Sequence, residues 1–267
     1  MRARRPEGVQ TRGTTAPNRL RRQDLWITET QPLPAGPLVV DLGYGASPGT
    51  AVELYSRLRV RYPGVRLVGL EIAQERVDTA NAFLGPRRAL YPGLSFARGG
   101  FELDTVRPPD LVRAANVLRQ YDEPTAWKMW DRLSGGLAPG GVLVEGTCDE
   151  IGRRQVWVTL PRTREATITF AASLAHLPRP SALAERLPKT LIHRNVPGER
   201  VHAFLSDWDR AWQTAAPQSV FGPRHRWLAS LDLLRTTWPI RTTPPAGGPR
   251  RWRRGDVTLP WSALDPS

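Results

Sequence analysis

Asp41, Gly43, Gly45 and Gly49 follow directly on the apolar run Pro37 to Val40. That run reads as a buried strand, and Gly49 to Arg61 reads as a helix. Strand, glycine turn and helix together make a nucleotide-binding crevice. Gly43 and Gly45 can take backbone angles that a side chain forbids, and they let a ligand approach the main chain closely. The helix N-terminus just beyond offers unpaired N–H groups. The spacing Gly43-x-Gly45-x-x-x-Gly49 departs from the G-x-G-x-x-G of dinucleotide sites. Asp41 places a negative charge before the turn, unhelpful to a phosphate and useful to a cation. A ligand with an amino acid moiety, a sulfonium and a ribose suits such a turn. A tight strand-to-helix turn with no ligand is the alternative.

A second carboxylate is placed by topology. Val65 to Ile72 reads as the next strand, with Glu71 at its end. Adjacent parallel strands of a right-handed strand–helix–strand unit finish at the same edge of the sheet. Glu71 therefore lies beside the glycine turn, where a carboxylate can accept hydrogen bonds from both ribose hydroxyls. Its other reading is an N-cap acid for the helix Gln74 to Leu84.

Further elements extend the pattern. Leu94 to Arg98 is a short strand that ends in Gly99-Gly100-Phe101-Glu102, and Asp110 to Leu118 is a fourth strand with its exit at Asn116. Glu123 to Leu137 is a helix with Trp127, Trp130 and Leu133 on one face. Val142 to Thr147 is a fifth strand, after the turn Ala138-Pro139-Gly140-Gly141. Gln155 to Leu160 and Ala166 to Phe170 are a sixth and a seventh. Val201, Phe204, Leu205, Trp208 and Trp212 make a helical stripe, and Trp227, Leu231, Leu234 and Trp238 make another.

The D-L-G-x-G segment at residues 41–45 resembles motif I of the class I S-adenosylmethionine-dependent methyltransferases. Glu71 matches motif II, the Asp110 to Leu118 segment resembles motif IV, and the Leu137 to Leu143 run is typical of the family. The resemblance covers about residues 36–170. It implies an α/β fold, a Rossmann-like, mostly parallel sheet of seven strands with helices on both faces. It implies S-adenosylmethionine as cofactor, bound by Asp41, Gly43, Gly45 and Glu71. Gly100, Phe101 and Glu102 would meet the adenine, with glycines where the family often has an acid. Asn116 would lie near the sulfonium, and Asn116 and Tyr121 near the transfer site. The histidines that often follow motif IV in small-molecule enzymes are replaced by Arg119-Gln120-Tyr121-Asp122. No N/D-P-P-Y/F segment of base- and glutamine-methylating enzymes is present.

Charge bounds the partners. The net charge is +13, and only Lys128 and Lys189 are lysines. Residues 1–22 carry seven arginines and one glutamate, and residues 241–267 five arginines and two aspartates. The excess thus sits toward the two ends, which read as solvated tails. The expected organisation is a basic tail over 1–16, a cofactor-binding domain over 17–175, a helical appendage over 176–240 and a Pro/Gly-rich tail over 241–267. Asn18 to Ile27 is expected to form a short helix. The lone Cys148 excludes an internal disulfide and fits a reducing, cytoplasmic setting. No apolar run is long enough for a membrane helix, and no cysteine or histidine cluster has metal-ligand spacing.

Methyl transfer to a small molecule is the expected activity. An RNA or protein methyltransferase docking through arginine-rich tails is a second reading, and a non-catalytic module of the same fold is a third.

Overall fold

Strand β1 (Leu38–Leu42) is buried along its whole length and sits inside the sheet. It pairs in parallel with β2 (Arg66–Glu71) on one side and β4 (Leu111–Ala115) on the other. β3 (Leu94–Arg98) extends the sheet beyond β2, and β5 (Val142–Cys148) extends it beyond β4, both in parallel. β6 (Arg154–Pro161), β7 (Thr167–Ala172) and β8 (Asp256–Pro260) follow as antiparallel neighbours. The spatial order is β3-β2-β1-β4-β5-β6-β7-β8. The computed structural model describes residues 6–13 and 16–266. Residues 1–5, 14, 15 and 267, which include part of the expected N-terminal tail, lie outside the described residues.

Helices cover both faces. α1 (Arg21–Thr30), α2 (Gly49–Arg61) and α3 (Gln74–Leu84) bury Trp26, Leu54, Leu58 and Leu84 against Val39, Leu67 and Leu111. α4 (Glu123–Gly135) lies on the opposite face, followed by the single turn α5 (Lys189–Ile192). α6 (Arg200–Thr214) and α7 (Pro223–Leu234) join α4 there, packing Phe204, Trp208, Trp227 and Leu231 into one core with Val40, Val112, Leu143 and Phe170. The two aromatic stripes meet directly, Trp208 to Trp227 at 5.1 Å between ring centroids, and Phe204 meets Phe170 of β7 at 5.1 Å. A short helix α8 (Pro249–Trp252) precedes β8.

The sheet is Rossmann-like, as expected, but it has eight strands rather than seven. The eighth comes from the stretch expected to be a tail. Its high content of Pro, Gly and Arg masks a five-residue strand in which Val257, Thr258 and Leu259 are buried. Thr258 meets Thr169 of β7, hydroxyl to hydroxyl at 2.9 Å. The arginines around it are also structural. Glu29 of α1 receives Arg254 at 2.8 Å, Arg251 at 3.1 Å and Arg250 at 3.7 Å. Asp256 receives Arg251 at 3.6 Å and Arg22 at 3.7 Å. The N-terminal part likewise departs from a tail: residues 7–13 run across the carboxyl edge of the sheet and are bonded to it. Among the described residues, no helix is long and apolar enough to cross a membrane.

Candidate active site

The strand order reverses direction between β1 and β4, and a crevice opens at the carboxyl ends of strands at such a point. Side chains alternate between faces along a strand. Val40 and Leu42 go to the α4 side, and Val39 and Asp41 to the α1 and α2 side. Asp41 stands in register with Arg113 on β4. The Arg113 guanidinium grips it with two parallel bonds, Nε to Oδ1 at 2.9 Å and Nη2 to Oδ2 at 2.7 Å. Arg113 is fully buried and also donates to Asp24 of α1 and to the Thr50 carbonyl. Arg57 of α2 completes the network on Asp24. Burial works against the Arg113 charge, but the carboxylates of Asp41 and Asp24 overcome it and raise its pKa. Burial likewise raises Asp24, to about 6, against the pull of both arginines.

Asp41 therefore does not supply the free negative charge expected of it. Its carboxylate is neutralised within the fold and ties β1 to β4 and, through Asp24, to α1. The residue still borders the cavity, at the foot of the glycine turn. Gly43 (φ +65°) and Gly45 (φ +93°) both take left-handed backbone angles, so the turn needs glycine at these two positions.

Glu71 reaches this turn as expected. Its Oε2 accepts the Gly45 N–H at 3.2 Å and an Arg76 N–H at 3.4 Å. Its Oε1 accepts the N–H groups of Ile72 at 2.9 Å and Ala73 at 3.4 Å, at the start of α3. Both readings of the residue thus describe one carboxylate, which links the helix start to the glycine turn.

At the end of β3, Glu102 turns back and its Oε1 accepts the Gly100 N–H at 2.8 Å. Residues 7–9 occupy the groove beside it. The Glu7 carbonyl accepts the Phe101 N–H at 3.1 Å, and the Glu7 N–H donates to Glu102 Oε2 at 2.9 Å. Arg132 holds the Glu7 carboxylate at 2.8 Å. Val9 is fixed at both ends of its peptide, its N–H by Tyr121 Oη at 2.5 Å and its carbonyl by Gln120 at 2.7 Å. Further on, Thr11 is held by Arg76, and the Gly13 carbonyl takes the Ala46 N–H at 3.2 Å, over the glycine turn. Phe101 is buried and meets Tyr121 edge to face at 5.6 Å. Tyr121 thus lines the Phe101 end of the crevice.

A cavity of about 530 Å³ opens on the other side of Gly43. Its floor is Asp41, Gly43, Gly45 and Thr50, and its wall is formed by Asn116, Cys148 and Arg119. Asn116 has a left-handed backbone (φ +62°), rare for a residue other than glycine. Its side chain bridges β4 to β5, accepting the Cys148 N–H at 3.0 Å and donating to Cys148 Sγ at 3.1 Å. Burial pushes the Cys148 thiol up, which makes it a poor nucleophile.

The structure thus gathers Asp41, Gly43, Gly45, Glu71, Gly100, Phe101, Glu102 and Asn116 along one sheet edge, with Tyr121 at the Phe101 end. None of the four histidines lines this crevice. Among the described residues, no cluster of His, Cys, Asp and Glu could hold a metal ion. Sequence reading passed over Arg113, Asp24 and the segment 7–13. Arg113 carried a signal, since an arginine inside the strand Leu111–Ala115 demands a buried partner. Residues 7–9 carried little, because most of their contacts are made by the main chain.

No protein-family model matches the chain, and no curated protein matches it. Among solved structures, the chain is similar to human N-acetylserotonin methyltransferase in complex with SAM. The identity is 23% and the TM-score 0.36, over 46% of this chain and 33% of that one. It is similar to a putative sarcosine dimethylglycine methyltransferase from Galdieria sulphuraria at 20% identity and a TM-score of 0.36, over 47% and 46%. It is similar to the mitomycin 7-O-methyltransferase MmcR at 18% identity and a TM-score of 0.38, over 48% and 36%. The chain spans less than half the length of each of these proteins. The chain's own sheet order, with a crevice at the β1/β4 switch point, defines a Rossmann-like α/β fold.

Proposed function

We propose that this protein binds S-adenosylmethionine and transfers its methyl group to a small molecule. The observation that carries the reading is the donor–acceptor pair at the end of β3. The Phe101 N–H and the Glu102 carboxylate stand side by side, complementary to the ring nitrogen and amino group of an adenine edge. In the protein's own fold the Glu7 peptide satisfies that pair, with its carbonyl for the ring nitrogen and its N–H for the amino group. Glu71 lies at the end of the neighbouring strand, in reach of ribose hydroxyls, and the glycine turn leads from it to the cavity.

When bound, the cofactor supplies an already electrophilic methyl group on a sulfonium. The chain then has to align the acceptor and exclude water. Gly43 and Gly45 keep the turn open to close approach. Asn116 shapes the cavity at the end of β4, with its amide locked to Cys148. The Arg113–Asp41 pair ties the ends of β1 and β4 to α1 through Asp24, so Asp41 acts through position rather than charge. For an adenine to be held there, residues 7–9 would have to leave Phe101 and Glu102. A general base is needed only for an acceptor that must lose its proton near the transition state.

The ion pairs of Arg22, Arg250, Arg251 and Arg254 favour a small-molecule acceptor over RNA docking through basic tails, because those charges already have partners within the fold. The buried Cys148, the sole cysteine, suits a reducing compartment such as the cytoplasm. The reading is tested with methyl-labelled S-adenosylmethionine and cell extract separated into small-molecule, RNA and protein fractions. Label transferred to the small-molecule fraction supports it. Label appearing only in RNA or protein overturns the choice of acceptor.

A further inference from the structure

The wall of the cavity beyond Asn116 is unusually basic. Arg119 follows β4 on a single 3-10 turn, Leu118–Gln120. Arg186 ends the 3-10 segment Pro180–Arg186, and its carbonyl accepts a bond from Thr147 of β5. Arg12 enters from the N-terminal segment. Positions 12, 119 and 186 are far apart in sequence, and the fold brings all three to one cavity.

Their charges are poorly matched by carboxylates. Neither Arg12 nor Arg119 makes an ion pair among the described residues, and the Arg119 bond goes to the Glu185 main-chain carbonyl at 3.0 Å. Arg186 approaches Glu185 at 3.5 Å, but Arg154 holds that same carboxylate at 3.1 Å. The Arg186 Nε is buried and has no hydrogen-bond partner among the described residues. Such a donor is costly to leave unmade. The acids bordering the cavity are Asp41, already neutralised by Arg113, and the exposed Glu150. Partial burial and then the neighbouring charge of Arg186 lower the Arg119 pKa, as mutual repulsion requires.

We propose that this cavity takes an acceptor bearing an anionic group, a carboxylate or a phosphate, held by Arg119 and Arg186, with Arg12 over the mouth. The inference rests on the reading of the same crevice as a methyl-transfer site. An anion there supplies a counter-charge to Arg119 and Arg186 and relieves the repulsion between the two guanidiniums. Planar guanidiniums pair well with either group, since both present oxygens in matching geometry.

The test titrates the full chain with inorganic phosphate and, separately, with benzoate. Each titration is run with and without saturating S-adenosylhomocysteine, at constant ionic strength set by sodium chloride. Saturable binding of at least one anion is expected, weakened about tenfold or more by Arg119→Gln or Arg186→Gln. The stronger of the two probes identifies the anionic group. S-Adenosylhomocysteine affinity is expected to stay within about threefold of wild type in both variants, against the tenfold loss of a charged hydrogen bond. A wild type that binds neither anion more than chloride overturns the proposal. So do variants that fold and bind the anions as wild type does. Variants that lose S-adenosylhomocysteine instead show that the arginines hold the cofactor's own carboxylate, which also overturns it. Wild type that binds an anion through these arginines but no S-adenosylhomocysteine keeps the anion site and removes the methyl-transfer reading.

Discussion

The main-chain N–H of Glu7 donates to Glu102 Oε2 at 2.9 Å, across a separation of 95 residues. Together with the Phe101 N–H on the Glu7 carbonyl, it closes the end of the crevice that the proposed function assigns to adenine. On that assignment, the chain holds its own substitute for the ligand edge. Adenine binding there would break both bonds, the carbonyl bond worth about 0.5–1.5 kcal/mol net and the bond to the Glu102 carboxylate about 1.5–3 kcal/mol.

Removing residues 1–10 is therefore expected to tighten S-adenosylhomocysteine binding, by about tenfold or more for the two Glu7 bonds taken together. Calorimetry on the shortened and full chains measures this. Weaker binding by a shortened chain that remains folded runs against the competition described here, and makes the segment part of the ligand's own enclosure.

Arg113 is a structural keystone of the crevice. Arg113→Met leaves Asp24 and Asp41 buried without their main partner. Breaking a buried ion pair from one side costs about 3–5 kcal/mol. Urea denaturation of the variant is expected to show a loss of that order. Little change in the midpoint would mean that the network is less dehydrated than its burial indicates. It follows that Asp41→Ala lowers stability along with binding, so Asp41 is a poor probe of the ligand site.

Glu145 of β5 gives a pH signature. It is fully buried, with Trp130 Nε1 donating to Oε2 at 3.2 Å and no partner for Oε1 among the described residues. Burial pushes its carboxyl up to about 8. The folded protein therefore keeps a proton that the unfolded chain releases near its ordinary value of about 4.3. Between about pH 4.3 and 8 the folded state binds more protons, so this group makes stability fall as pH rises through that window. Glu145→Gln is expected to flatten the fall, with a higher Tm than wild type at about pH 8 and a smaller difference at about pH 5. Parallel Tm curves for the two proteins would contradict it.

How much of this was legible in the sequence follows from the range of the interactions. The glycine turn, α2 and α3 announce themselves locally, through apolar periodicity and breakers such as Pro63-Gly64, and the structure bounds both helices as expected. Glu71 was placed by the geometry of a parallel strand pair. β8 was missed because its pairing with β7 spans some ninety residues and its flanks are rich in Pro and Gly. Segment 7–9 was missed because peptide groups, not side-chain types, do most of its bonding. The anionic subsite was invisible because Arg12, Arg119 and Arg186 belong to three segments that only the closed sheet edge brings together.

The most direct test of the central claim is a calorimetric titration of the full chain with S-adenosylhomocysteine, with Glu71→Gln beside it. Glu71→Gln keeps the side chain's shape and removes the charge that would accept from ribose hydroxyls. Saturable micromolar binding by wild type is expected, weakened about tenfold or more in the variant while its Tm shows that it is folded. A folded wild type that releases no heat of binding, or a variant that binds as tightly as wild type, would contradict the assignment of this crevice to the cofactor.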